Sequence, residues 1–319
     1  MHSHFSLIWE SVADAVPEHI ALIQGERRIT WRNYEDRAAR LAQGLIDASL
    51  SHNSKVGMYL YNSPEYAETN FAAMKIGGVP INVNYRYLDE ELHYLLENAD
   101  IEALVFHSSL GDRVARVCDR LPMLKAMICV DDGPAEDGSM GPVNSIPYDD
   151  FLSQASGTAR TQPKGDEIYM LYTGGTTGMP KGVMYPLDGF TEFFMRGFPP
   201  MIGLDPFENA DRFAPAARQM VDANSAVVAM SGPPLMHGTG CWLGLMFPHM
   251  LGGTSVLLEN RGFKPEEVWS TVERDRISQI IIVGDAFATP LLPALETEPD
   301  RWDTSSLKLK ISSGAMFTT

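Results

Sequence analysis

The sequence predicts an α/β protein whose sheets are largely parallel. Short apolar runs rich in β-branched and aromatic residues alternate along the chain with longer segments whose apolar residues recur at helical spacing. With 319 residues, of which 45% are hydrophobic, the chain can bury more than one core. We therefore expect two α/β lobes, over about residues 55–165 and 166–319, with 1–54 packing on the second.

The first half of the chain shows a regular succession of helices and strands. Thr30 predicts the N-cap of a helix over 31–48, in which Tyr34, Ala38, Leu41 and Leu45 share one face. Ser63-Pro64 predicts the start of the next helix, which Gly77-Gly78 ends. Further predicted strands cover 56–60, 79–83, 103–106 and 126–130, and further helices cover 90–98 and 112–121.

The second half begins after two polar connectors, at 131–142 and 153–164, that are rich in turn-forming residues. We predict a strand over 168–172, a helix over 187–198 and an irregular proline-rich stretch over 199–215. Strand and helix units follow as far as Ile311, and the sequence shows no internal repeat of about 20 to 50 residues.

The composition excludes some classes of function. The formal net charge of −16 argues against binding of nucleic acid, which needs a basic surface. Cys118, Cys129 and Cys241 fit no disulfide framework or zinc spacing, so we expect reduced core thiols. The sequence has no apolar run of roughly 18 residues and no basic-apolar leader at its start, which predicts a cytoplasmic protein without a transmembrane segment. Peripheral membrane association and a homodimer are both compatible with it.

The strongest signal is the string Leu-Tyr-Thr-Gly-Gly-Thr-Thr-Gly-Met-Pro-Lys-Gly at 171–182, which follows a predicted strand. Its glycines let backbone N–H groups turn inward, its threonines add hydroxyls, and Lys181 adds a positive charge. These groups predict an anion site suited to a triphosphate. The string is not a Walker A loop, because Met-Pro separates Gly178 from Lys181. For the glycines and threonines alone, a hairpin without a ligand is the alternative.

The whole string closely resembles the phosphate-binding signature of the adenylate-forming superfamily, Tyr-Thr-Ser-Gly-Thr-Thr-Gly-x-Pro-Lys-Gly. Gly174 stands where that pattern usually has serine or threonine, which removes a hydroxyl but keeps the backbone donor. Four further strings resemble family segments in the right order, so the resemblance covers essentially the whole chain: Ile29–Tyr34, Ala73–Asn82, Pro233–Gly240 and Leu307–Met316.

The resemblance implies the N-terminal domain of the adenylate-forming fold, with two stacked, doubly wound subdomains. It implies an AMP-forming acyl-CoA synthetase that uses ATP, Mg²⁺ and coenzyme A to activate a small-molecule carboxylic acid. The string is similar to that of actinobacterial fatty-acid and sterol-side-chain CoA ligases, which favours a fatty or bulky apolar acid. We expect the phosphates to be bound by residues that lie in or next to the glycine-rich loop: Thr173, Gly174, Gly175, Thr176, Thr177, Gly178 and Lys181.

The resemblance also implies roles for single residues. Thr176 is expected to ligate magnesium as well as phosphate, and Lys181, Thr176 and His237 are expected to take part in catalysis. His237 would lie beside the acyl carboxylate, with the apolar stretch 241–251 as a wall of the acyl tunnel; a buried helix is the alternative for that stretch. Gly314-Ala315 would lie against the adenine.

The family's metal-associated glutamate, ribose-binding aspartate, β-barrel and small C-terminal domain with its catalytic lysine are all expected beyond Thr319. We therefore expect the 319-residue chain alone to fold but to make no detectable acyl-CoA. Two alternatives stay open: a fatty-acyl-AMP ligase that loads a carrier protein, and a non-catalytic nucleotide- or acyl-binding module.

Overall fold

The structure is a computed structural model of the 319-residue chain and describes residues 3–136, 138, 141–142, 144–174 and 178–317. The α/β class and the predominance of parallel strand pairs are confirmed. The α-helices are α1 Phe5–Ala15, α2 Trp31–Asp47, α3 Pro64–Lys75, α4 Asp89–Asn98, α5 Gly111–Val117, α6 Tyr148–Gln154, α7 Leu187–Met201, α8 Phe213–Asp222, α9 Phe247–Met250, α10 Pro265–Arg274 and α11 Gly284–Thr297.

The strands are short, and most of them are buried. They are β1 Ile20–Gln24, β2 Arg27–Thr30, β3 Lys55–Tyr59, β4 Val79–Asn82, β5 Ile101–His107, β6 Ala126–Val130, β7 Ile146–Pro147, β8 Ile168–Thr173, β9 Lys181–Pro186, β10 Val228–Ser231, β11 Thr254–Leu257, β12 Gln279–Ile282 and β13 Leu309–Ser312. Short 3₁₀ helices lie at Ser108–Leu110, Cys118–Arg120 and Ala210–Arg212, and a π-helix lies at Thr239–Met246.

The described chain divides into two compact units. The first contains the described residues within 1–7, 35–61 and 65–209, and the second those within 8–34, 62–64 and 210–319. These limits differ from the lobes predicted from the sequence, because residues 35–54 and 166–209 lie in the first unit. Residues 8–34 fall in the second unit because β1 pairs in parallel with β11, more than 200 residues along the chain.

The first unit contains a parallel sheet in the order β4-β3-β5-β6-β7. This order is that of a doubly wound sheet, in which the chain moves first to one side of β3 and then to the other. Central strands are buried on both faces, as Val56, Leu104 and Ile128 show with no exposed surface. Strands β8 and β9 form a separate antiparallel hairpin in the same unit.

The second unit contains a sheet in the order β13-β12-β10-β11-β1-β2, in which only the edge pair of β1 and β2 is antiparallel among the described strands. Helices α10 and α11 pack on it through a core that includes Met230, Val268, Trp269 and Ile280. Burial of each such side chain contributes roughly 1.5–3 kcal/mol relative to leaving it in water.

Local signals set several helix ends. The Thr30 hydroxyl accepts the N–H of Asn33 at 3.3 Å, which confirms the predicted N-cap of α2. After α3, Gly77 adopts a φ of +66° and Gly78 donates its N–H to the carbonyl of Ala73 at 2.9 Å. This is the hydrogen bond of a helix that ends in a left-handed glycine, as the Gly-Gly pair predicts.

The prediction of irregular structure over 199–215 is wrong at both ends, because α7 continues through Pro199 and Pro200 and because α8 contains Pro215. Pro199 cannot donate to the carbonyl of Met195, and the N–H of Phe207 donates to that carbonyl instead, at 3.2 Å. Pro215 lies in the first turn of α8, where a missing N–H costs no helical hydrogen bond.

Two properties expected from the composition can be compared with the structure. Cys241 is buried, whereas Cys118 and Cys129 are partly exposed, so only Cys241 fits the expectation of a core thiol. Within the described ranges, no helix combines the length and the apolar character that a membrane crossing requires.

Candidate functional site

The string that we predict to bind phosphate begins in β8 and ends in β9, which form an antiparallel hairpin. The two strands pair from Ile168 opposite Pro186 to Thr173 opposite Lys181, so the glycine-rich loop begins after Thr173 and closes at Lys181. The side chain of Lys181 is exposed at the first position of β9. The hairpin therefore presents a hydroxyl and an ammonium group side by side at the mouth of the loop.

Three of the predicted phosphate ligands, Gly175, Thr176 and Thr177, lie outside the described residues. Gly174 and Gly178 are described and exposed at the two sides of this gap. Gly178 has a φ of +117°, a conformation that L side chains rarely adopt. Gly174 has no such backbone constraint, and a Cβ added there would meet no atom within 4 Å.

The segment that holds His237 follows β10 in the second unit. The Ser231 hydroxyl donates to the carbonyl of Pro233 at 2.7 Å, and the side-chain oxygen of Asn62 accepts the N–H of Leu235 at 2.8 Å. His237 donates its backbone N–H to Pro234 at 3.0 Å, and its residue surface is exposed. The backbone of the turn is thus held by the side chains of Ser231 and Asn62 and by its own hydrogen bond, and His237 lies at the surface of this unit.

The packing around Gly240 leaves no room for a side chain. A Cβ on Gly240 would lie 2.7 Å from the carbonyl oxygen of Pro233 and would also overlap that of Pro234. Gly240 is the second residue of the π-helix at Thr239–Met246, an uncommon conformation that is found often at functional sites. The glycine is therefore required for packing of the turn, besides the room for an acyl chain that the resemblance implies.

The predicted adenine segment follows β13 in the same unit. Gly314 has a φ of +83°, and a Cβ added there would lie 3.4 Å from the hydroxyl oxygen of Thr239. The N–H of Asp285 donates to the carbonyl of Met316 at 3.2 Å, and both Gly314 and Ala315 are exposed. Gly314 is thus brought close to the first residue of the π-helix that follows His237.

This proximity follows from the topology of the second sheet. Strands β10, β12 and β13 are parallel, so the segments that begin at Gly232, Val283 and Ser313 leave the same edge of the sheet. The order β12-β10-β11 also places the change of winding direction between β10 and β12. Open α/β sheets bind ligands at such a switch point, outside the carboxyl ends of the strands.

The apolar stretch 241–251 packs as a buried helical segment. Its residues form the π-helix and α9, and the buried ones include Cys241, Leu245, Phe247 and Met250. A Cβ on Gly244 would lie 2.6 Å from the Cβ of Ser231, so the π-helix contacts β10 closely at this point. The role of this stretch in an acyl tunnel stays a prediction.

A histidine and two carboxylates elsewhere in the first unit are close enough to hold a metal ion: His52, Asp166 and Glu167. The Nε2 atom of His52 lies 2.8 Å from Asp166 Oδ1. The carboxylate of Glu167 accepts the backbone N–H groups of Lys164 at 2.5 Å and Gly165 at 2.8 Å. The two backbone donors show that Glu167 caps a turn, and the cluster shares no residue with the predicted magnesium ligand.

Sequence reasoning missed residues that hold the site segments in place. Asn82 bonds the backbone of Tyr172 before the phosphate loop, Asn62 bonds the segment before His237, and Ser312 accepts the N–H of Gly284 at 3.1 Å. Asn82 ends one of the strings that resemble the family, so the sequence drew attention to its position but not to its partner. The partners of Asn62 and Ser312 depend on folding and left no local pattern.

Comparisons with known proteins agree with the family resemblance of these segments. The profile described as "AMP-binding enzyme" matches residues 9–319. A medium/long-chain-fatty-acid–CoA/3-oxocholest-4-en-26-oate–CoA ligase of Mycolicibacterium smegmatis is 35% identical over 317 residues, which are 97% of this chain and 55% of that protein. A 3-oxocholest-4-en-26-oate–CoA ligase of Rhodococcus rhodochrous shows the same identity and coverage.

A solved structure supports the fold. The anthranilate CoA ligase AuaEII, crystallised in complex with anthranoyl-AMP, has a TM-score of 0.79 to this chain at 19% identity, and the match covers 98% of this chain and 55% of that one. The chain spans about half the length of the curated relatives it matches, 55% in each of the two ligases. Because the family profile extends over almost all of its residues, this chain belongs to the AMP-binding enzyme family.

Proposed function

We propose that the protein expressed from its full reading frame activates a carboxylic acid with ATP and transfers the acyl group to coenzyme A. The observation that carries this proposal is the β8–β9 hairpin, in which Thr173 and Lys181 face each other where the phosphate-binding string closes. Membership of the AMP-binding enzyme family and the CoA ligases among its relatives support the same reaction.

The first step joins a carboxylate oxygen to the α-phosphorus of ATP and releases pyrophosphate. Because the carboxylate is already an anionic nucleophile, this step needs alignment and neutralisation of charge more than proton transfer. We assign Lys181, Thr173 and the loop through Gly178 to the phosphates, with Thr176 as a ligand of the magnesium that enters with ATP. The exposed position of Lys181 at the loop mouth supports its part in this set.

In the second unit, we assign His237 to the acyl carboxylate and Gly314-Ala315 to the adenine. Both assignments are supported by the parallel arrangement of β10 and β13, which sends both segments from one edge of the sheet. In the second step the thiol of coenzyme A releases its proton to solvent and its sulfur attacks the acyl carbonyl, and AMP leaves with the electron pair of the broken mixed-anhydride bond.

A medium- or long-chain fatty acid, or a bulky apolar acid such as a sterol side-chain acid, is our proposed substrate. The names of the two ligases, which share 35% identity with this chain, support this class. The buried apolar residues that follow His237 between 241 and 251 are also suited to contact an apolar acyl group.

The test is acid-dependent exchange of labelled pyrophosphate into ATP by the protein from its full reading frame, over medium-chain, long-chain and sterol-derived acids. We expect exchange with at least one apolar acid, followed by a CoA thioester that mass spectrometry detects. No exchange with any acid would overturn the proposal. Exchange with transfer to a phosphopantetheinyl carrier protein but not to CoA would identify an acyl-AMP ligase instead.

We also propose a location and a membrane association for the enzyme. A cytoplasmic location is favoured because ATP and coenzyme A are supplied there, with peripheral contact to membranes where the substrate is a lipid. Sedimentation with vesicles tests the membrane contact, and light scattering after gel filtration tests whether the protein is a homodimer.

A further inference from the structure

We propose that Asn82 is a positioning residue that fixes the backbone where the chain enters the phosphate-binding loop; this inference rests on the function proposed above. Asn82 is the last residue of β4, and only 7% of it is exposed. Its Nδ2 atom donates to the carbonyl oxygen of Tyr172 at 2.9 Å. Its Oδ1 atom accepts the N–H of the same residue at 2.8 Å.

These two hydrogen bonds engage both backbone groups of a single residue. A side-chain amide is suited to this because it presents a donor and an acceptor in one plane. The contact reproduces what a neighbouring strand does in a sheet ladder. The side chain of Asn82 therefore occupies the edge of β8 as a third strand would, at the last residue before Thr173.

The position of this contact along the hairpin gives it a functional consequence. Tyr172 is paired with Gly182 and Thr173 with Lys181, so the bonded residue is one step away from the mouth of the loop. On the other side of the hairpin, most of β9 is exposed. Asn82 thus restrains the end of β8, and a rotation of the Tyr172 peptide would displace Thr173 and Gly174, the two residues that follow it.

The structure also offers a control contact on the same residue. The hydroxyl of Tyr172 donates to Oδ1 of Asn98 at 2.8 Å. Asn98 therefore holds the side chain of Tyr172, whereas Asn82 holds its backbone. Loss of either amide removes hydrogen bonding from the same region, but only the loss of Asn82 should release the loop.

The experiment compares Asn82→Ala, Asn82→Asp and Asn98→Ala in the protein from its full reading frame, by acid-dependent pyrophosphate exchange. We expect Asn82→Ala to lower kcat/KM for Mg-ATP by about tenfold or more, since small misplacements of reacting groups cost large factors in rate. The KM for the acid should stay within about twofold, as should all constants of Asn98→Ala. Asn82→Asp should be at least as impaired, because it places a carboxylate against the carbonyl of Tyr172.

Hydrogen exchange in the 319-residue chain gives a readout that does not need activity. Amides of the segment 169–182 should exchange faster in Asn82→Ala than in Asn98→Ala. Equal kinetic constants for Asn82→Ala and Asn98→Ala would overturn the inference. If the wild-type protein shows no pyrophosphate exchange with any acid, the proposed function fails. In that case amide hydrogen exchange tests Asn82 independently, and equal rates in Asn82→Ala and Asn98→Ala would reject its role.

Discussion

Lys181 lies directly opposite Thr173 where strands β8 and β9 end at the glycine-rich loop. Pairing in the sheet ladder fixes the separation of the two residues, which an irregular loop would leave variable. The backbone of Lys181 therefore keeps a constant place relative to that of Thr173. This arrangement gives the first prediction.

We expect Lys181→Ala to slow acyl-AMP formation, because the variant loses a positioned charge that neutralises the phosphates. The cost should be about 2 to 4 kcal/mol in transition-state free energy, or roughly 30- to 1000-fold in rate. Thr176→Ala should have a loss of similar size. Pyrophosphate exchange measures both, and Lys164→Ala, which changes an exposed lysine of the same unit, serves as the control. Unaltered exchange in Lys181→Ala would remove the lysine from the phosphate site.

The loop glycines differ in what they permit, which gives a second prediction. Gly174→Ser should be accepted, because a Cβ there meets no atom within 4 Å and the new hydroxyl matches the usual family pattern. Gly178→Ser should be impaired, since a φ of +117° costs an L residue about 1 to 3 kcal/mol. Exchange rates and thermal melting of the two variants test this contrast. Equal impairment of both would show that the backbone at Gly178 is not the constraint.

His237→Ala should affect the acid more than the nucleotide. His237 is an exposed residue of the turn after β10, and hydrogen bonds from Ser231 and Asn62 to the backbone hold that turn, so both contacts remain when the imidazole is removed. We expect kcat/KM for the acid to fall by about tenfold or more, with little change in the KM for Mg-ATP. His93→Gln, in α4 of the first unit, is the matched control. A rise confined to the KM for Mg-ATP would reassign His237 to the nucleotide.

The buried His249 predicts how stability depends on pH. Burial lowers the pKa of His249 from 6.5 to about 3, and the ring donates from Nε2 to the carbonyl of Ala21 at 3.1 Å. Trp9, Trp31 and Tyr34 surround it with aromatic rings. Above pH 6.5 the imidazole is neutral in both folded and unfolded chains, so its contribution to stability is fully present.

As the pH falls below 6.5, the unfolded chain binds a proton that the folded chain does not, and the free energy of unfolding decreases until the pH reaches about 3. At pH 5 the loss should be about 2 kcal/mol relative to neutral pH. Urea unfolding at pH 7.5 and 5 measures it, and His249→Gln, which keeps a donor but cannot titrate, should lack this part of the loss. An equal decrease in both proteins would mean that other groups cause the pH dependence.

Much of the fold could be predicted because its signals are local. Thr30 and Gly77 set helix ends through bonds to residues a few positions away, and the apolar runs of the central strands stand out against their neighbours. The string from 171 to 182 combines the residue types that bind phosphate with a preceding strand, so its place at a strand end could be expected from the residues alone.

The sequence by itself thus determined the α/β class, many of the helices and strands, and the position of the glycine-rich string after a strand. Tertiary structure alone decided that residues 166–209 join the first unit, that Met195 finds a donor in Phe207 so that α7 passes Pro199, and that Asn82 holds Tyr172. The physical reason is the range of the interactions. Helix caps and hydrophobic periodicity depend on neighbouring residues. Strand pairing and hydrogen bonds such as those of Asn82 join segments that are distant in the sequence, and their formation depends on the free energy of the whole packed chain.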